Sequence, residues 1–151
     1  MIATNHLMRL DVELGPVLDI GLVPGGHRRV IPITGGRFEG ERLRGEILPG
    51  GADWNLVRPD GTVYLWARYT LRTDDGALIM ITNDGLQPGA PDVMLQILTG
   101  GPVDMTDWYA KTRPTFEVAH EQYAFLNSRI FIGNLTPNGQ TAVTIDIFEV
   151  T

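Results

Sequence analysis

Three charged residues have the types and spacing for acid–base chemistry: Asp53 in Gly50-Gly51-Ala52-Asp53-Trp54, Arg68 in Ala67-Arg68-Tyr69, and Glu117 in Arg113-Pro114-Thr115-Phe116-Glu117. The glycine pair reads as a bend that releases a carboxylate and an aromatic into a strand. Pro59-Asp60-Gly61 reads as a tight turn that returns a second strand alongside the first. In a two-residue Asp60-Gly61 hairpin, or a four-residue Pro59-to-Thr62 loop of the same register, Asp53 falls opposite Arg68, Asn55 opposite Trp66 and Val57 opposite Tyr64. Trp54, Leu56, Val63, Leu65 and Ala67 then share the other, apolar face, which assigns Trp54 to the core. A three-residue Pro59-Asp60-Gly61 loop shifts the pairing by one and mixes the faces, so the sorted register is preferred.

The same rule at Asp75-Gly76 sets Arg68 opposite Asn83 and Tyr69 opposite Thr82, giving a row Asp53, Arg68, Asn83 across three strands. A guanidinium beside a carboxylate holds it ionised. Inside a barrel mouth such a row binds a polar substrate; on the outer face it is a cross-strand ion pair worth under ~1 kcal/mol. Glu117 follows Phe116 in an apolar strand. Turned inward it is desolvated, with a pKa raised towards general acid or base use; alternation to solvent is the competing fate. A paired Asp53 and a desolvated Glu117 would differ in protonation, as proton transfer requires. Asp53, Glu117 and Arg68 are therefore the catalytic candidates, and Asn83, Trp66, Tyr69, Tyr109, Tyr123 and Asn127 the substrate-binding ones.

The elements that must position these residues are strands. Eighteen glycines and ten prolines punctuate short runs rich in Val, Ile, Leu, Thr and aromatics. The pattern predicts strands near 7–14, 29–34, 42–48, 53–58, 62–72, 77–84, 93–98, 115–119, 128–133 and 141–150. Asp60-Gly61, Asp75-Gly76 and Asn138-Gly139 each sit between apolar runs as hairpin signals. Consecutive hairpins make a meander, and a meander of eight to ten strands removes its edges by closing. The expected fold is all-β, a single up-and-down antiparallel barrel over residues 1–151. One short helix is expected at His120–Asn127, plugging an end, with irregular stretches at 86–91 and 100–114.

Bulk properties narrow the function. A chain of 151 residues with 43% hydrophobic and 20% charged residues is one ordinary globular domain. Its net charge of −6 argues against a nucleic-acid partner. Lys111 is the only lysine, and cysteine is absent, which removes disulfides, thiol catalysis and thiolate metal sites. His6, His27 and His120 lack metal-ligand spacing, so neither metal nor cofactor is expected. Met8, Leu10 and Val12 alternate with Arg9, Asp11 and Glu13, a strand and not a signal peptide, and no apolar run has membrane-spanning length. The expected setting is cytoplasmic. Nucleophile elbow, P-loop and dinucleotide fingerprints are missing, and Ser128 is the only serine.

An ordered series of motifs is similar to the family known as domain of unknown function 3237, or UPF 0311. It comprises Ile33-Thr34-Gly35-Gly36-Arg37-Phe38-Glu39-Gly40, Gly50-Gly51-Ala52-Asp53-Trp54, Arg58-Pro59-Asp60-Gly61-Thr62, Ala67-Arg68-Tyr69, Leu71-Arg72-Thr73-Asp74-Asp75-Gly76-Ala77, Pro114-Thr115-Phe116-Glu117 and Tyr123-Ala124-Phe125-Leu126-Asn127. The resemblance implies a single calycin-like β-barrel with no generally established activity. The chain departs from it at Tyr109-Ala110-Lys111-Thr112, where Tyr-Phe-Arg-Thr is common, and at Phe125, where Trp is common. Lining positions so changed would alter or enlarge a pocket.

Three functions fit. The first is a barrel binding a small, partly aromatic or carbonyl-containing metabolite. The second is a cofactor-free isomerase, cyclase or lyase in the same cavity, with Asp53 and Glu117 moving protons and Arg68 steadying an oxyanion. The third is an assembly protein: Ala77 to Ile81 is apolar on both faces, as a homodimer interface would be.

Overall fold

Every second residue of the strands turns inward, and that alternation builds the core. The computed structural model of the chain describes residues 1–88, 93–101 and 104–151. In β9 (Lys111–Val118), Thr112, Pro114, Phe116 and Val118 are buried while Lys111, Arg113, Thr115 and Glu117 are exposed. β7 (Val63–Thr73) buries Val63, Leu65, Tyr69, Leu71 and Thr73 and exposes Arg68 and Arg72. In β8 (Leu78–Gln87), Ile79 and Ile81 are fully buried, whereas Leu78 and Met80 face outward, 57% and 45% exposed.

The sheet closes as an antiparallel barrel of eight staves. Around it run β1 (Thr4–Leu14), β11 (Ala142–Val150), β10 (Phe131–Pro137), β9, β8 and β7. A composite stave of β4 (Arg44–Ile47), β5 (Gly51–Asp53) and β6 (Leu56–Val57) follows, then β3 (Gly26–Glu39), which pairs with β1 to complete the ring. β2 (Leu18–Val23) lies outside the closure, hydrogen-bonded to the first part of β3. One contiguous core fills the interior, from Met8, Leu10 and Val12 through Leu71, Ile79 and Ile81 to Ile145 and Ile147.

The expected 93–98 strand is instead a helix, α1 (Val93–Leu98). A six-residue apolar run carries no period that separates a buried strand from a helical turn. β2 was not expected; its Leu18, Ile20 and Leu22 are exposed, so it lacks the half-buried face that marks a strand in sequence. The expected 53–58 strand is split into β5 and β6, and the 128–133 strand runs later, as β10. Of the irregular stretches, Leu86 and Gln87 belong to β8 and residues 111–114 to β9; residues 89–91, 102 and 103 lie outside the described residues.

The second helix is where the sequence puts it. Glu121–Asn127 is a 3₁₀ helix, with the His120 ring accepting the Gln122 N–H at 3.3 Å as its N-cap. Its buried Tyr123 and Leu126 join the core at one end of the barrel. Among the described residues no helix is long and apolar enough to cross a membrane.

Candidate functional site in the barrel interior

The composite stave delivers Asp53 to the interior through its two glycines. Gly50 turns the chain at φ 108°. A Cβ on Gly51 would lie 2.4 Å from the Arg68 carbonyl oxygen and 2.5 Å from Tyr69 Cβ, so only glycine lets β5 press so closely on β7. Both following turns then decide what Asp53 meets. Arg58 N–H donates to Thr62 O and Gly61 N–H to Arg58 O, each at 2.9 Å, closing a three-residue loop with Gly61 at φ 84°. Thr73, Gly76 and Ala77 repeat that pattern, with Gly76 at φ 92°. These are three-residue hairpins with a left-handed glycine in the last position.

The preferred two-residue register is thereby corrected by one residue at each turn. Asp53 pairs with Ala67, and Ala52 with Arg68. Ala67 pairs with Asn83, and Arg68 with Thr82. The two shifts cancel for Asn83, which stays in one row with Asp53. They do not cancel for Arg68, which turns to the outer surface and stacks on the Trp66 ring at 4.6 Å. The expected Asp53–Arg68 partnership is therefore absent.

The interior holds a cavity of about 40 Å³ walled by Asp53, Ala67, Tyr69, Asn83 and Thr112, with aliphatic side chains of β1, β3, β10 and β11 opposite. Among the described residues no lysine, arginine or histidine lines it. Asp53 is half-buried and lines the cavity. Its Oδ1 accepts the Trp66 backbone N–H at 2.9 Å, and its Oδ2 accepts Asn55 Nδ2 at 3.2 Å. Asn55 is fully buried and its Oδ1 accepts Arg29 Nε–H at 2.9 Å, so the amide links Asp53 to an arginine that is 1% exposed and whose charge also acts on the carboxylate. Burial pushes the Asp53 carboxyl above the usual carboxylate range, opposed in turn by the Trp66 N–H, Asn55, Arg29 and Arg28. Burial likewise pushes the Tyr69 phenol up, with the Asp53 charge adding to it. Asn83 lies close enough to offset part of that rise, yet Tyr69 and Asn83 do not meet in hydrogen-bond geometry.

Three buried polar atoms of this wall, Tyr69 Oη, Asn83 Oδ1 and Thr112 Oγ1, have no hydrogen-bond partner among the described residues. Native interiors pair nearly all such atoms, so three around one small cavity is an unusual concentration. Thr112 sits between two inward-facing glycines, Gly85 and Gly133. A Cβ on Gly133 would lie 2.2 Å from Thr112 Oγ1.

The remaining candidates lie elsewhere. Glu117 is exposed and paired with Met80 on the outer face, because strict alternation in β9 buries Phe116 and Val118. Tyr109 is 48% exposed beneath Lys111. Only the backbone of Trp66 reaches Asp53. Tyr123 closes the end of the barrel held by the 3₁₀ helix, its hydroxyl donating to Asp75 at 3.0 Å. Asn127 is structural: its Nδ2 donates to Val118 O at 2.8 Å and its Oδ1 accepts Val118 N–H at 2.9 Å. Trp54 is half-buried on the outside and not in the core. Ala110 is buried without lining the cavity, and Phe125 packs under Arg42, so the two departures from the family pattern do not shape it. Thr112, Asn55 and Arg29 were missed. The alternation that exposes Glu117 would have found Thr112; nothing local marks the other two. Among the described residues no group of three or more His, Asp or Glu side chains is placed to hold a metal ion.

Known proteins share the sequence and the barrel fold of this chain. The UPF0311 protein of Rhodopseudomonas palustris strain TIE-1 is 36% identical over 147 residues, 97% of this chain and 95% of that one. The crystal structure of a beta-barrel like protein from Acinetobacter baumannii AYE superposes with a TM-score of 0.86 at 37% identity, covering 100% of this chain and 97% of that one. An enzyme from Penicillium herquei shares the fold, with a TM-score of 0.73 at 20% identity over 99% of this chain and 95% of that one. Residues 2–150 match the family described as "Protein of unknown function (DUF3237)", and the chain belongs to it.

Proposed function

We propose that the barrel binds a small, carbonyl-containing molecule in the cavity walled by Asp53, Tyr69, Asn83 and Thr112. The observation that carries this reading is the set of three buried polar atoms around one space that have no partner among the described residues. A buried unpaired polar atom costs ~1–3 kcal/mol, so three of them are retained for a partner outside the chain. The cavity has room for about three water-sized groups, taking ~10–15 Å³ for each, so the ligand is small or only its polar end enters. Native mass spectrometry of the purified protein tests this. A bound small molecule that is lost in Thr112→Val and Asn83→Leu supports the reading; the same molecule retained in both variants refutes it.

Proton transfer on the bound molecule is the second reading, and the Asp53 carboxyl favours it. A carboxyl whose proton affinity burial raises, lining a largely apolar space, is a candidate to give or take a proton. With Glu117 and Arg68 on the outer face, that chemistry rests on Asp53 alone, with Tyr69 and Thr112 hydroxyls as donors to a developing oxyanion. Turnover of a captured ligand that survives Asp53→Asn unchanged would end it.

A further inference from the structure

Resting on the binding reading above, the inventory of donors and acceptors around the cavity selects the kind of ligand. Asp53 accepts one hydrogen bond on each oxygen from Trp66 and Asn55, and each oxygen has a further lone pair. Asn83 Oδ1 is an acceptor with nothing donating to it among the described residues. Asn55 has a fixed amide orientation, because its oxygen takes the Arg29 N–H; its nitrogen must therefore be the atom that faces Asp53. Asp53 and Asn83 Oδ1 are thus the open acceptors on this side of the cavity, beside the Asn83 amide N–H groups. Tyr69 and Thr112 supply hydroxyls that donate as readily as they accept. Rotation of Tyr69 towards Asn83 would pair those two with each other, but the Asp53 lone pairs and Thr112 Oγ1 would still need partners.

We propose that the site recognises an uncharged group carrying a donor and an acceptor side by side, such as a carboxamide or a hydroxy-carbonyl, and that it rejects anions. The ligand's N–H or O–H meets Asp53 and Asn83 while its C=O receives the hydroxyls of Tyr69 and Thr112. That pairing satisfies all three orphaned atoms with one small group. A carboxylate or phosphate would bring a second negative charge beside Asp53, whose own charge Arg29 and Arg28 already offset, and among the described residues no cationic side chain lines the cavity itself.

Acetamide, acetone and acetate have nearly the same shape and differ only in the feature at issue, so they are the probes. Each is titrated into isotope-labelled protein at neutral pH while the backbone amides of Ala67, Asn83 and Thr112 are followed by NMR. Acetamide is expected to saturate these shifts with an affinity at least tenfold above that of acetone, and acetate to leave them unsaturated. Thr112→Val and Asn83→Leu should each weaken acetamide by roughly fivefold or more, the loss of about one hydrogen bond, while acetone is weakened only by Thr112→Val. Acetone binding as tightly as acetamide, or acetate binding at the same amides, overturns the inference. If none of the three moves them while native mass spectrometry finds a bound molecule of another kind, this inference fails and the binding reading stands. If the native spectrum is also empty, both fail.

Discussion

Replacing Tyr69 by Phe, or Thr112 by Val, should leave the protein as stable as before or more so, although both residues are buried polar groups in a packed interior. Tyr69 is 4% exposed and Thr112 2%, and neither hydroxyl has a protein partner among the described residues. An unpaired buried hydroxyl carries a desolvation penalty of ~1–3 kcal/mol, and both substitutions remove it while keeping the shape. Each variant is therefore expected between unchanged and about 2 kcal/mol more stable. For a chain of this size ~1 kcal/mol moves Tm by about 3 °C, so the rise is at most about 6 °C. Asn127→Ala is the contrast. It strips partners from both the N–H and the C=O of Val118, which is 7% exposed, and should cost ~2–4 kcal/mol, a fall of roughly 6–12 °C. Thermal unfolding of the four proteins side by side, with urea titration as the check, reads the difference. A fall of more than about 3 °C in Tyr69→Phe or Thr112→Val would show that the hydroxyl is bonded within the fold, and the argument for a ligand would lose its basis.

Asp53 should destabilise the fold increasingly as pH rises. Its folded pKa lies above 3.8, so the folded state binds the proton more tightly; the penalty is absent below 3.8 and complete above the raised folded value. Asp53→Asn should therefore be more stable than the parent at neutral pH, with the gap closing on acidification; urea midpoints from pH 3.5 to 7.5 test this, and a gap that widens on acidification contradicts the sign. Asp75, held below the usual range by the Thr73 and Tyr123 hydroxyls, runs the other way: its contribution is present above 3.8 and lost as pH falls through the depressed value. Gly133→Ala should destabilise by ~1–3 kcal/mol through collision with Thr112 Oγ1, and Thr112→Ala in the same chain should recover over half of that; additive effects in the double-mutant cycle would show that the two sites are not in contact. Arg68→Ala should cost at most ~1 kcal/mol, the worth of an exposed cation–π contact, and leave acetamide binding intact; weakened binding would return Arg68 to the site.

The errors of register are instructive because the rule that failed is usually sound. Sorting polar from apolar faces put Asp53 with Trp66 and Arg68. The fold puts it with Leu65, Ala67 and Tyr69, an acid on the apolar face. Where a cavity needs a polar group, face sorting points the wrong way, and the local signal that would have corrected it is ambiguous. Pro59-Asp60-Gly61 accommodates a two-residue or a three-residue loop, and the choice shows only in whether Gly61 closes the turn left-handed. Because both hairpins close with a three-residue loop, the two one-residue shifts cancel and Asn83 shares a row with Asp53.

The architecture is legible in the residues alone: glycine and proline spacing, alternation and hairpin dipeptides specify a meander long enough to close. The residues also mark Asp53, since two consecutive glycines before an acid have a steric purpose that β5 and β7 make visible. Which side chains keep company emerges only in the closed barrel. Thr112 is brought to Asp53's cavity by pairings running through β8, and Arg29 of β3 acts on Asp53 by its charge and through Asn55. Glu117 and Arg68 are sent outward by parity. A pattern of residues records which positions alternate, but which face is inside depends on where the barrel closes, and closure is a property of all eight staves at once.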